Sequence, residues 1–145
     1  MCRASKWSGY VGFPVLEIGM GEFSKLRVWR KAHALALNIY RLATGMRKAD
    51  QAPLRNQMIR AGLSIPTNIV EGRGHNSDRE FCRFLRYSVH SSNELEYHIT
   101  MARDLHAISA SESKSVLDQI VEVRKMLYGL MKSLSKPTSA SDASE

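Results

Sequence analysis

The run Arg60-Ala61-Gly62-Leu63-Ser64-Ile65-Pro66-Thr67-Asn68-Ile69-Val70-Glu71-Gly72 decides how this chain folds. With the residues before it, its apolar members recur as Leu54, Met58, Ala61, Ile65 and Ile69, the spacing of one helix face. Pro66 interrupts that face. Proline removes a backbone donor and crowds the carbonyl four residues earlier, that of Gly62, so the run predicts a helix kinked or restarted at Pro66. Gly62 has no side chain to clash, Ser64 has a hydroxyl to offer the freed carbonyl, and Gly72 and Gly74 end the element. Gln57, Ala61, Ser64, Asn68 and Glu71 form a second, more polar stripe, which marks the segment as a packing lock or a binding site.

Working outward, Leu26 to Gly45 is a helix with Ser24 as its N-cap. Leu26, Trp29, His33, Ala36, Tyr40 and Ala43 make one stripe, and Val28, Ala32, Leu35, Ile39 and Leu42 a second beside it, together a wide apolar face. Arg27, Lys31, Ala34, Asn38 and Arg41 lie opposite. Pro53 suits the first turn of the helix that contains the opening run. Ser77 with Glu80, and Ser109 with Glu112, are capping boxes that start a third helix, ending near His106, and a fourth. Ser88, Ser91 and Ser92 in the third allow another helix to approach closely. In the fourth, Val116, Ile120, Val123, Leu127, Leu130 and Leu134 alternate by three and four, a bundle seam. No strand pattern competes. The expected fold is all-α: an up-down-up-down antiparallel four-helix bundle with its second helix kinked at Pro66.

The chain has 145 residues, enough for one domain with a sizeable core, and a net charge of +7. Residues 20–135 form the expected bundle domain. Residues 1–19 read as an extension upstream of a natural start at Met20. Residues 136–145, rich in Ser and Ala, cannot bury enough apolar area to offset ordering. Nothing approaches the roughly 20 apolar residues of a membrane span. Cys2 and Cys82 form no disulfide framework and no zinc motif, which points to the cytoplasm.

Residues 23–49 carry Lys25, Arg27, Arg30, Lys31, Arg41, Arg47 and Lys48 and no acid. Basic groups at i and i+4 can follow a phosphate backbone, so Arg27, Arg30, Lys31, Arg41, Arg47 and Lys48 are the candidate nucleic-acid contacts. Enzyme chemistry has thin support. Di-metal carboxylate bundles need Glu-x-x-His, whereas Glu94 is followed at three by Tyr97 and at four by His98. The glycines near 72 lack a phosphate-loop lysine, and Cys82, despite Arg79, Arg83 and Arg86, has no placed base. No catalytic residue, metal or cofactor is expected. On the third helix, Tyr87, Ser91, Glu94 and His98 form a stripe to which Asn68 and Glu71 can bond, which favours the packing lock.

The chain resembles the four-helix-bundle family of 23S ribosomal RNA intervening-sequence proteins. The resemblance rests on Phe23, Leu26, Val28, Trp29 and Ala32, then Gln57, Arg60, Ala61, Ser64, Ile65, Pro66, Asn68, Ile69, Glu71 and Gly72. It continues through Phe81, Phe84, Leu85, Ser91, Glu94 and Leu95 to the seam at Met126, Leu127 and Leu134. Gly62 and Val70 stand where alanine is usual, and His90 where glycine is usual. The resemblance implies a helical bundle assembled as a homopentamer, associated with genes inserted in ribosomal RNA and, in relatives, with reverse transcriptases. It implies no enzymatic activity. The function expected is RNA binding through phosphate contacts by a basic homo-oligomer; the alternative is a scaffold for a nucleic-acid-processing protein such as a reverse transcriptase.

Overall fold

The computed structural model describes residues 22–137, so the readings for residues 1–19 and for nearly all of 136–145 lie outside the described residues. Four α-helices account for most of the described chain: α1 (Arg27–Thr44), α2 (Ala52–Arg73), α3 (Asp78–Asp104) and α4 (Ala110–Leu134). Short 3-10 turns, Glu22–Lys25 and Ala49–Gln51, precede α1 and α2. No strand occurs among the described residues, and no helix there is long and apolar enough to cross a membrane. The protein is an all-α four-helix structure.

Local chemistry sets most of the boundaries. The N-cap of α1 is Leu26, with extended backbone and no side-chain capping bond, and not Ser24. The preceding 3-10 turn takes up Ser24, so Ser24 is no longer at the extended position from which an N-cap bonds. Ser77 caps α3 by accepting from the Glu80 amide at 3.1 Å, while the Glu80 carboxylate turns to Arg83 at 2.9 Å. At α4 both halves of the capping box form: the Glu112 amide donates to Ser109 Oγ at 3.1 Å, and the Ser109 amide donates to Glu112 Oε2 at 2.8 Å. Between α3 and α4 the chain makes a Schellman turn. The Ala107 amide donates to Ala102 O at 2.8 Å and the His106 amide to Arg103 O at 2.9 Å, with His106 in the left-handed region at φ 56°.

Neighbouring helices run against one another. Along α2 and α3, Arg60 meets Glu94, Ser64 meets Ser91, and Ile65 meets Ser88. Along α1 and α4, Lys31 meets Glu122 and Asn38 meets Gln119. Leu35, Ile39, Met58, Ile65, Ile69, Leu85, Leu95, Ile99, Ile120 and Leu127 fill the interior between them and are fully buried. Each such side chain stabilises the fold by about 1.5–3 kcal/mol relative to exposure.

α2 does not restart at Pro66, which lies buried inside a continuous helix. The Ser64 hydroxyl does not serve the Gly62 carbonyl either; it turns to Ser91 on α3. Gly62 and Gly72 have packing roles. A Cβ on Gly62 would sit 3.1 Å from Ile39 Cγ2, and one on Gly72 would sit 2.7 Å from Phe84 Cβ and 2.8 Å from Phe81 Cδ2. Gly72 is therefore where α2 and α3 come together after their turn. The helix itself ends one residue later, at Arg73, with Gly74 as its C-cap.

Candidate nucleic-acid interface

The helix that carries the candidate cations faces three ways. Val28, Ala32, Leu35, Ala36, Ile39 and Ala43 point into the core. Trp29, His33 and Tyr40, part of the wide apolar face, lie at its edge: Trp29 is half-buried against the core, and His33 and Tyr40 are exposed. They turn toward α2 and, with Phe23, Leu37, Leu63, Pro66, Thr67 and Val70, line an open groove of about 310 Å³. Trp29 and His33 stack there with ring centroids 5.0 Å apart, and Phe23 meets Trp29 edge-on at 5.0 Å.

The third side borders α4 with Lys31, Asn38 and Arg41, while Arg47 and Lys48 follow the end of the helix. Lys31 pairs with Glu122 at 3.0 Å, and Asn38 donates to Gln119 Oε1 at 2.8 Å. Lys25, outside the candidate set, pairs with Glu22 at 2.7 Å. That hydrogen bond and the ammonium charge, with Arg73 at 3.9 Å, hold the Glu22 carboxyl below its ordinary range. Arg27, Arg30, Arg41, Arg47 and Lys48 are exposed, and no carboxylate among the described residues lies within ion-pair distance of them. They do not make one site. Arg27 and Arg41 are separated by about 21 Å at 1.5 Å rise per residue, and Arg41 lies beside Ser111, Glu112 and Ser115 at the start of α4.

Nor is the positive charge confined to α1. Arg79 and Arg86 on α3 and Lys125 and Lys132 on α4 are exposed and likewise without a carboxylate partner among the described residues. Sequence balance hid them, because Glu80, Glu96 and Glu122 lie near them in the chain. Those three carboxylates turn to other partners: Arg83, Arg124 and Lys31 respectively.

Of the polar stripe of α2, Ser64 bonds α3, and Asn68 and Glu71 do not. Ser64 and Ser91 share a hydrogen bond of 2.7 Å, and Ser88 Oγ donates to Ile65 O at 2.8 Å. Asn68 does not reach α3; its amide donates to the carbonyl and hydroxyl of Ser64, at 2.9 and 3.1 Å. Glu71 is exposed and bonds none of Ser91, Tyr87 or His98. One residue before Gly72, it is turned about 100° from the glycine that touches α3. Arg60 pairs with Glu94, and His98 lies 3.5 Å from the same carboxylate. Ser92 belongs to the opposite contact, where it accepts from Arg124 Nε at 3.0 Å.

Among the described residues no cluster of three or more His, Cys, Asp or Glu is placed to hold a metal ion. Cys82 is half-buried, with Sγ 4.0 Å from Met131 O. The arrangement offers hydrogen-bonded packing inside and cations outside, with no nucleophile–base pair in the contacts described.

Comparison with known proteins agrees with this architecture. No curated protein matches the sequence. The crystal structure of a protein of unknown function from the S23 ribosomal protein family of Bacteroides thetaiotaomicron is similar in fold, with a TM-score of 0.68 at 24% identity, over 72% of this chain and 98% of that one. The family model described as 23S rRNA-intervening sequence protein matches residues 24–129, a span that contains α1, α2, α3 and most of α4. The chain belongs to the 23S rRNA-intervening sequence protein family.

Proposed function

We propose that this protein is a non-enzymatic, basic homo-oligomer that holds RNA through contacts to phosphates. The observation that carries the reading is the set of exposed cations without carboxylate partners among the described residues: Arg27, Arg30, Arg41, Arg47 and Lys48. Unpaired exposed cations keep their full attraction for a polyanion, whereas paired ones have largely spent it. Membership of a family described by a ribosomal RNA insertion is consistent with an RNA partner. The resemblance also implies five subunits. The groove between α1 and α2, where Tyr40 and Leu63 are 51% and 47% exposed, is the surface on which a second copy would settle.

A filter-binding titration of RNA at rising salt tests the reading. Several neutralised phosphates predict a steep loss of affinity, with a slope of about 0.7 to 0.9 per contact on logarithmic axes. Absence of binding at low salt would reject it. The same groove favours a second reading, a scaffold for a nucleic-acid-processing protein such as a reverse transcriptase. That reading predicts a partner whose capture survives nuclease treatment.

A further inference from the structure

A second groove, of about 480 Å³, runs between α3 and α4 and is lined by Arg86, Val89, His90, Tyr128, Met131, Lys132 and Ser135. No carboxylate lines it. Its floor is apolar, from buried Val89 and half-buried Met131, and its rims carry the exposed Arg86, His90 and Lys132. Tyr128 stands between the rims with 55% of its surface exposed. Arg79 continues the α3 rim two helical turns back from Arg86, and Lys125 lies one turn before Tyr128 on α4. The neighbouring acids are turned away, Glu80 to Arg83, Glu96 to Arg124 and Glu122 to Lys31.

We propose that this groove is a binding site for single-stranded RNA, with phosphates on Arg86, His90 and Lys132 and one base stacked on Tyr128. A positively charged channel with an exposed ring is how proteins hold single strands, because every unpaired base has a π-face. A duplex buries those faces and would use only the charge. The groove also compensates for the division of the α1 cations. The Lys31–Glu122 contact joins α1 to α4, so Arg27 and Arg30 lie toward the end of α4 that bears Lys125 and Tyr128. One strand can then pass from the groove to that end of α1. The inference rests on the reading that the ligand is RNA, and it adds a site and a strand state to it.

Fluorescence anisotropy with a labelled single-stranded oligoribonucleotide, and with the same strand annealed to its complement, separates the possibilities. The full chain and the variants Arg86→Ala, Lys132→Ala, Tyr128→Ala and Tyr128→Phe are titrated at several salt concentrations, with unchanged thermal melting confirming that each is folded. Arg86→Ala and Lys132→Ala are each expected to lower the salt slope by about 1. Tyr128→Ala is expected to weaken single-strand binding about five-fold or more, whereas Tyr128→Phe keeps it. Binding by the unaltered chain that none of these variants changes would overturn the groove and leave the α1 reading standing. Equal affinity for the duplex, with no loss in Tyr128→Ala, would overturn the single-strand assignment. No binding by the unaltered chain at low salt would reject both.

Discussion

Ser64 Oγ on α2 and Ser91 Oγ on α3 lie 2.7 Å apart, and the same Ser64 accepts the Asn68 amide, so one hydroxyl joins two turns of α2 to the middle of α3. This pair is the register mark of the α2–α3 contact. Ser64→Ala and Ser91→Ala should each lower unfolding free energy by about 1 kcal/mol. The double variant should lose less than the sum, because the second substitution removes a group already without its partner. Chemical denaturation of the four proteins measures the coupling, and strict additivity would show that the bond contributes nothing beyond two hydroxyls.

Gly72 tests how tightly α2 and α3 approach. Alanine there gains about 1 kcal/mol of helix propensity. Its Cβ would fall 2.7 Å from Phe84 Cβ, an atom next to the backbone that no rotamer change removes. A net loss of about 1–2 kcal/mol is expected. Gly62→Ala meets Ile39 Cγ2 at 3.1 Å and Ile39 Cβ at 3.3 Å, contacts that call for a shift of a few tenths of an ångström. Gain and cost should nearly cancel there. Thermal denaturation should therefore rank Gly72→Ala well below Gly62→Ala.

His106 occupies the left-handed position of the Schellman turn that glycine usually fills. Left-handed backbone costs a residue with a side chain about 1–2 kcal/mol, and glycine returns part of that through unfolded-state entropy. His106→Gly should stabilise the fold by up to about 1 kcal/mol, read as a higher melting temperature. A lower one would mean that the imidazole makes a compensating contact.

The groove between α1 and α2 predicts where assembly can be broken. Tyr40→Glu and Leu63→Glu place a charge on an exposed apolar surface and leave the core untouched, since neither residue is buried. Light scattering of the unaltered chain should report an oligomer, and each variant should shift the mass toward the monomer. An unshifted mass would place the interface elsewhere.

Lys31 and Glu122 make RNA binding separable from net charge. Lys31 is already paired, so Lys31→Ala should lower the salt slope of RNA binding by less than Arg27→Ala, which should lower it by about 1. Glu122→Gln should tighten binding by releasing Lys31. Its effect on stability should stay within about 1 kcal/mol, as for other exposed pairs. Weaker binding by Glu122→Gln would show that this face is not a contact.

The four helices, the caps at Ser77 and Ser109, the seam from Val116 to Leu127 and the role of small residues in α3 were all legible in the sequence. Each depends on the backbone's own period or on groups within four positions of one another. Ser24 was misread because it lies within the 3-10 turn before α1, and Leu26 has the extended backbone of the N-cap. Tertiary structure alone decided which polar groups meet and which cations remain free. Ser64 paired with Ser91, Lys31 neutralised by Glu122, Tyr40 left outside the core, and Arg86, His90, Tyr128 and Lys132 gathered on one groove all depend on a neighbouring helix. A helix period tells which side chains share a face; the charge and solvent that face experiences come from residues far away in the chain.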